Sequence, residues 1–241
     1  MLHKASRLLG ITVHATDGPI GSVDDVYFDD EKWTVRYLVV STGSRLDGRR
    51  VLITPMATDR RWDTVDLRVR LTEDQVRRSP GALSHRPVSR QEEAELLQHY
   101  GYPYYWGGTG LWGAYGFPAA LLAAPRPAAL PVPPPLSPDD RHLRSVTEVI
   151  GYHIHATDGE IGHVDDFLID EESWRVQYLQ IDTSNWIGGR AVVISPDILR
   201  GIDWVDRRVS VGVSREAVQA SPVLDGVDLP PGENAPPFAL I

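Results

Sequence analysis

Histidines, carboxylates and hydroxyls decide what reactions a chain can run, and here they are spaced unpromisingly. His153 and His155 fall on one parity of an expected strand, with His163 opposite across the Asp158-Gly159 turn. Three imidazoles so placed could ligate zinc or nickel. An earlier near-copy of the segment carries Thr12, His14 and Ser22 there, so such a site would belong to one copy alone and no metal is expected. The pairs Asp24-Asp25 and Asp165-Asp166 are adjacent on strands, where neighbouring side chains point to opposite faces and cannot act as an acid/base couple. Asp29, Asp30 and Glu31, and Asp170, Glu171 and Glu172, read as solvated hairpin tips whose spacing does not match a calcium loop. No Gly-x-Ser-x-Gly elbow, P-loop or dinucleotide fingerprint occurs, and Gly107 to Gly110 follow aromatics rather than a strand. With no cysteine, thiol catalysis and disulfides are excluded. The expectation is a protein with no catalytic site and no cofactor.

The residues better suited to binding lie elsewhere. Tyr100, Tyr102, Tyr104, Tyr105, Trp106 and Trp112 crowd a glycine-rich run ending at Phe117. Such rings either pack back along the fold, sealing the seam between copies, or form an exposed partner-binding strip, since Tyr and Trp anchor interfaces at low entropic cost. The strip is the candidate site carried forward. Arginine pairs at Arg49-Arg50, Arg60-Arg61 and Arg77-Arg78 form either a solvated edge or a surface for anions.

The elements that must position these residues come in duplicate. Gly10 to Pro55 aligns without a gap to Gly151 to Pro196 at an offset of 141, with 23 identities in 46 pairs. One insertion later, Trp62/Trp204, Val69/Val211 and Ser79-Pro80/Ser221-Pro222 still match. So long a period means tandem duplication of a whole domain. Val65, Leu67, Val69 and Leu71 alternate with charged residues as a half-buried strand does, while Leu38 and Val40 beside Tyr37 and Val39 suggest burial on both faces. Asp17-Gly18, Asp29 to Lys32 and Asp47-Gly48 supply turns. About five short strands per copy point to a small antiparallel β-barrel, closed to protect its edges. Thr72-Glu-Asp-Gln75 opens a short helix that Pro80 ends.

Asp17 to Asp25, Trp33 to Val40 and the Leu71 to Pro80 ending resemble the PRC-barrel family, as do Asp158 to Asp166 and Trp174 to Leu179. The resemblance covers residues 5–80 and 146–222. It implies the barrel of the photosynthetic reaction-centre H subunit's cytoplasmic part, also found in a ribosome maturation factor and in free-standing bacterial proteins. It carries over no catalytic residue.

The chain of 241 residues thus divides into copy 1 at 1–80, a connector at 81–145, copy 2 at 146–222 and a tail at 223–241. Within the connector, Ser89-Arg-Gln-Glu92 caps a helix over about 89–99, and Pro125 to Pro138 reads as polyproline II linker. Net charge is −9, with only Lys4 and Lys32 as lysines among 24 basic residues, which argues against DNA binding. Residues 1–80 carry 13 basic and 12 acidic groups, residues 141–241 carry 8 and 16. The N-terminus has no apolar signal core, and Leu111 to Ala124 is too short to span a bilayer, so a cytoplasmic location is expected, with peripheral membrane contact left open. The fold class expected is mainly β: two small antiparallel PRC-type barrels, packed with pseudo-two-fold symmetry or in a homo-oligomer. The function expected is a non-enzymatic scaffold or adaptor for a protein partner, at a membrane or photosynthetic-type complex. The alternative is an RNA- or ribosome-associated assembly factor using Arg49, Arg50, Arg60 and Arg61.

Overall fold

A computed structural model describes residues 1–59, 66–81, 88–125, 142–183 and 191–221. The Pro-rich linker beyond Pro125, the pair Arg60-Arg61 and the tail at 223–241 lie outside them. The chain is mainly β. Its strands are β1 (Leu2–Lys4), β2 (Thr12–Ala15), β3 (Gly18–Asp29), β4 (Thr34–Thr42), β5 (Arg50–Ile53) and β6 (Asp66–Arg68), then β7 (Leu143–Ser145) and β8 (His153–Ala156). They continue with β9 (Gly159–Asp170), β10 (Val176–Asp182), β11 (Ala191–Ile194), β12 (Leu199–Asp203) and β13 (Arg208–Val211). The helices are short: α1 (Glu73–Arg77), α2 (Arg90–Tyr100), α3 (Pro118–Ala123), α4 (Val146–Val149) and α5 (Arg215–Gln219).

Two compact units result, and they do not follow the repeat boundaries. The first-copy unit is Arg7–Ser145 with Glu171–Arg175; the second-copy unit is Met1–Ser6, Val146–Asp170 and Val176–Ile241. In the former the strand order is β5-β4-β3-β2-β6, with β7 on β3; in the latter it is β11-β10-β9-β8-β13-β12, with β1 on β9. The second-copy unit therefore takes β1 from copy 1, and the first-copy unit takes β7 from the end of the connector, directly before copy 2. Leu2, His3 and Lys4 pair with Asp170, Ile169 and Leu168. Leu143, Arg144 and Ser145 pair with Asp29, Phe28 and Tyr27. These registers are the same one, displaced by the 141-residue offset.

One expectation needs correction. The sheets are not purely antiparallel: β2 runs parallel to β6, and β8 to β13. The cause is the crossover after β5, which turns at Pro55–Ala57 and returns its strand beside β2 in the same direction. The described ladders form two sheets, one in each unit.

The rest of the local chemistry acts as its residues dictate. Thr72 and Ser89 each close a capping box, with Gln75 and Glu92, and Gly101 ends α2 in the left-handed conformation at φ 68°. Strand β4 is buried on both faces from Thr34 to Val40. Leu67, Val69 and Leu71 point inward and Arg68 and Arg70 outward, as alternation requires. Gly21 and Gly162 mark the closest backbone approaches: a Cβ there would sit 2.1 Å from the Ser41 carbonyl oxygen and 2.0 Å from that of Asp182.

Candidate functional site

In the first-copy unit the connector is fastened to β4 by a buried cluster of ions and rings. Arg36, in the apolar run Trp33 to Val40, is fully buried, so its charge must be matched inside the protein. Its Nη2 donates to Asp29 Oδ2 at 3.0 Å, and its Nη1 to the Leu111 carbonyl at 2.7 Å. The guanidinium lies over the rings of Tyr105 at 4.0 Å and Trp112 at 4.9 Å. A desolvated cation over two aromatic faces is held more strongly than one at the surface. Lys32 Nζ donates to the Gly108 and Gly110 carbonyls at 2.8 and 2.6 Å. Both glycines are required by packing, since a Cβ would meet Gly113 at 2.3 Å or Tyr115 at 2.5 Å. The Trp112 indole nitrogen donates to the Ser173 carbonyl at 2.8 Å.

A second layer is built on α2. Glu93 is wholly buried, 3.0 Å from His142 Nε2 and 3.5 Å from Arg90 Nη1, and accepts a short bond from the Tyr105 hydroxyl. Arg90 donates to that hydroxyl at 2.8 Å and lies 4.9 Å from the Trp106 ring. Burial would raise the Asp29 carboxyl, but the Arg36 charge and the Lys32 backbone N–H outweigh it and hold the carboxyl below its ordinary value. Burial would lower His142, yet the bond to Glu93 and its charge push the imidazole above its usual range. The Tyr105 hydroxyl is driven far upward, first by burial and then by Glu93.

Linkage gives this layer a pH signature. Because the folded value of His142 exceeds its ordinary 6.5, its contribution is fully present below about pH 6.5 and fades as pH rises through the folded value. Asp29 runs the other way, losing its contribution only as pH falls below 3.8, so the windows do not overlap. His142→Gln keeps a neutral donor for Glu93. In urea unfolding, the wild type should exceed this variant by about 1.5–3 kcal/mol at pH 5.5, the usual worth of a charged hydrogen bond. The gap should narrow as pH rises through the folded value of His142. A gap that does not change with pH would show that the imidazole does not titrate against Glu93.

The expected partner-binding residues separate accordingly. Trp112, Tyr105 and Tyr100 are 0%, 2% and 8% exposed and form core, a correction to any strip that includes them. For Tyr105 and Trp112 the reason is that Arg36 and Glu93 need cover from water, whereas Tyr100 packs against His99 and Tyr102. Tyr102, Tyr104 and Trp106 are half-buried, and Tyr104 stacks on Trp106 at 4.7 Å with planes 15° apart. Phe117 and Tyr115 are exposed. Asp29 is no solvated turn: besides Arg36 it accepts from the backbone N–H groups of Glu31 and Lys32.

Other candidates are used locally. His153 stands opposite His163 in register, but His153 and His155 turn to Glu160 and His163 to Asp182. Among the described residues no group of three or more such side chains is placed to hold a metal ion. Asp25 and Asp166 are buried, whereas Asp24 pairs with Arg50 outside. Arg49 caps the Val76 and Arg77 carbonyls, and Arg77 and Arg78 both reach Asp74. Among the described residues no helix is long and apolar enough to cross a membrane. Sequence reasoning missed Arg36, Arg90, Glu93 and His142; the available signal was a lone arginine in an apolar strand, with Gln177 at its place in the other copy.

A comparison with curated proteins finds no match. The family model for the PRC-barrel domain matches residues 2–75 and again 142–217, and each match begins with the strand given to the other repeat's sheet. Together the matches take in well over half of the chain, which thus belongs to the PRC-barrel domain family as two tandem copies.

Proposed function

We propose that this protein is a non-enzymatic scaffold or adaptor that binds a protein partner through the aromatic ledge of Tyr104 and Trp106. The supporting observation is how that ledge is held. Two stacked rings stay half-exposed while Arg90 lies beneath Trp106, itself fixed by the Tyr105 hydroxyl and Glu93. Rings already ordered in the free protein lose little entropy on binding, which is what an interface anchor needs. Tyr115 and Phe117 extend the same segment with further exposed apolar surface. The natural setting for such an adaptor is the cytoplasmic side of a membrane complex, by analogy with the reaction-centre member of the family.

The test is a crosslinked pull-down from source cells, soluble and membrane fractions kept apart. The intact chain is compared with Tyr104→Ala/Trp106→Ala and with Arg49→Gln/Arg50→Gln. Partners lost only with the first variant, its circular dichroism unchanged, are the expected result. Retention of the same partners would remove the ledge from the interface. Ribosomal particles lost only with the second variant would move the protein to the RNA-associated class.

A further inference from the structure

The β1 segment sits in a built groove of the second-copy unit. Its three residues are all half-buried, whereas the strand it pairs with is core: Ile169 is 0% and Leu168 4% exposed. Leu2 packs on a cluster of Leu168, Tyr178 and Val193. One step further, Ser6 donates twice to Asp166, by its backbone N–H at 3.1 Å and its hydroxyl at 2.5 Å. Backbone edge, apolar floor and carboxylate together suit a segment of the form Leu-x-x-x-Ser whose first three residues add as a β-strand and whose serine follows in a tight turn. The unit boundary falls between Ser6 and Arg7, inside the tight turn Ala5–Arg7, and a second turn over residues 8–10 leads on to β2. Short hinges of this kind favour exchange of an element between identical chains.

We propose that the β9 edge is an exchangeable strand-acceptor site whose partner is residues 1–6 of a second copy of this chain. In the dimer each chain lends its first strand to the other's β9. Every strand contact of the closed chain is remade, because the incoming segment has the same sequence. The closed form is favoured by the effective concentration of a tethered strand, about millimolar for a short connection, and by whatever packing of the buried Ala5 and Leu8 the open connection gives up. Dimer therefore forms at or above that concentration, or when chains unfold and refold together. The equivalent strand β7 is a poorer candidate, since its Leu143 is itself buried at 3% exposure.

The chain's lack of cysteine allows a direct readout. Leu2→Cys with Asp170→Cys places two thiols at paired positions of the ladder. Oxidised when dilute, the full-length variant should form an intrachain link. After unfolding and refolding at high concentration, the covalent dimer should rise at least tenfold. Only intrachain links at every concentration, or no link at all, would overturn the proposal, as would a sedimenting dimer whose links are all intrachain. Should the variant misfold, the unmodified chain refolded at high concentration is sedimented with excess synthetic peptide of residues 1–7. Dimer dissolved by the peptide supports the site, and dimer indifferent to it, or no dimer, rejects it.

Discussion

Replacing Arg36 by methionine should destabilise the first-copy unit by about 3–5 kcal/mol, the usual cost of removing one partner from a buried ion pair. The expectation rests on what remains: Asp29, 2% exposed, would keep its carboxylate with only backbone donors and no cation at 3.0 Å. The Leu111 carbonyl would lose its donor, and Tyr105 and Trp112 the cation they cover. Arg36→Lys should rescue little, because an ammonium cannot serve Asp29 and Leu111 at once from a planar fork. Arg36→Met with Asp29→Asn should recover part of the loss by removing the stranded charge. Urea unfolding measures all three, and iodide quenching of tryptophan should increase in the single variant as the connector lifts. A cost below about 1 kcal/mol, the range of surface pairs, would mean that packing alone holds the connector.

Gly21→Ala and Gly162→Ala should be comparably severe. A methyl group at Gly21 would lie 2.1 Å from the Ser41 carbonyl oxygen, and at Gly162 2.0 Å from that of Asp182; both contacts are backbone, so no side chain can swing away. Separating β3 from β4, or β9 from β10, breaks the longest ladders of their sheets. Overpacking of this kind costs on the order of 3 kcal/mol, which lowers the melting temperature by roughly 10 °C for a chain of this size. Gly201→Ala, with nothing within 4 Å of the added carbon, is the control and should melt as the wild type does. Equal melting of all three would show that the close approach is not required.

What could be read from the sequence was local. Capping boxes at Thr72 and Ser89, the turn at Asp17-Gly18 and the double-sided burial of β4 each depend on residues within one turn or one pairing. Alternation says which face of a strand is buried but not which neighbour it takes, so the parallel pairing of β2 with β6 stayed hidden. The same holds for the donation of β1 and β7, which is decided by chain routing rather than by pattern. In the connector, composition left open whether the rings pack back or stand exposed, and which of them turn inward depends on Arg36, Glu93 and His142. Those three are far apart in the chain, and meet only once the fold is made.

The strand donation also sets a timetable for synthesis. The β3 edge at Tyr27–Asp29 leaves the ribosome early, but its partner Leu143–Ser145 follows more than a hundred residues later. At about 5–20 residues per second, that leaves a nascent edge open for roughly ten seconds. Leu2–Lys4 waits longer still, until Leu168–Asp170 emerges. Open strand edges are where neighbouring nascent chains pair wrongly. Polysome crowding, rather than the stability of the finished protein, should therefore limit the yield of correctly folded chains, and slower initiation should raise it.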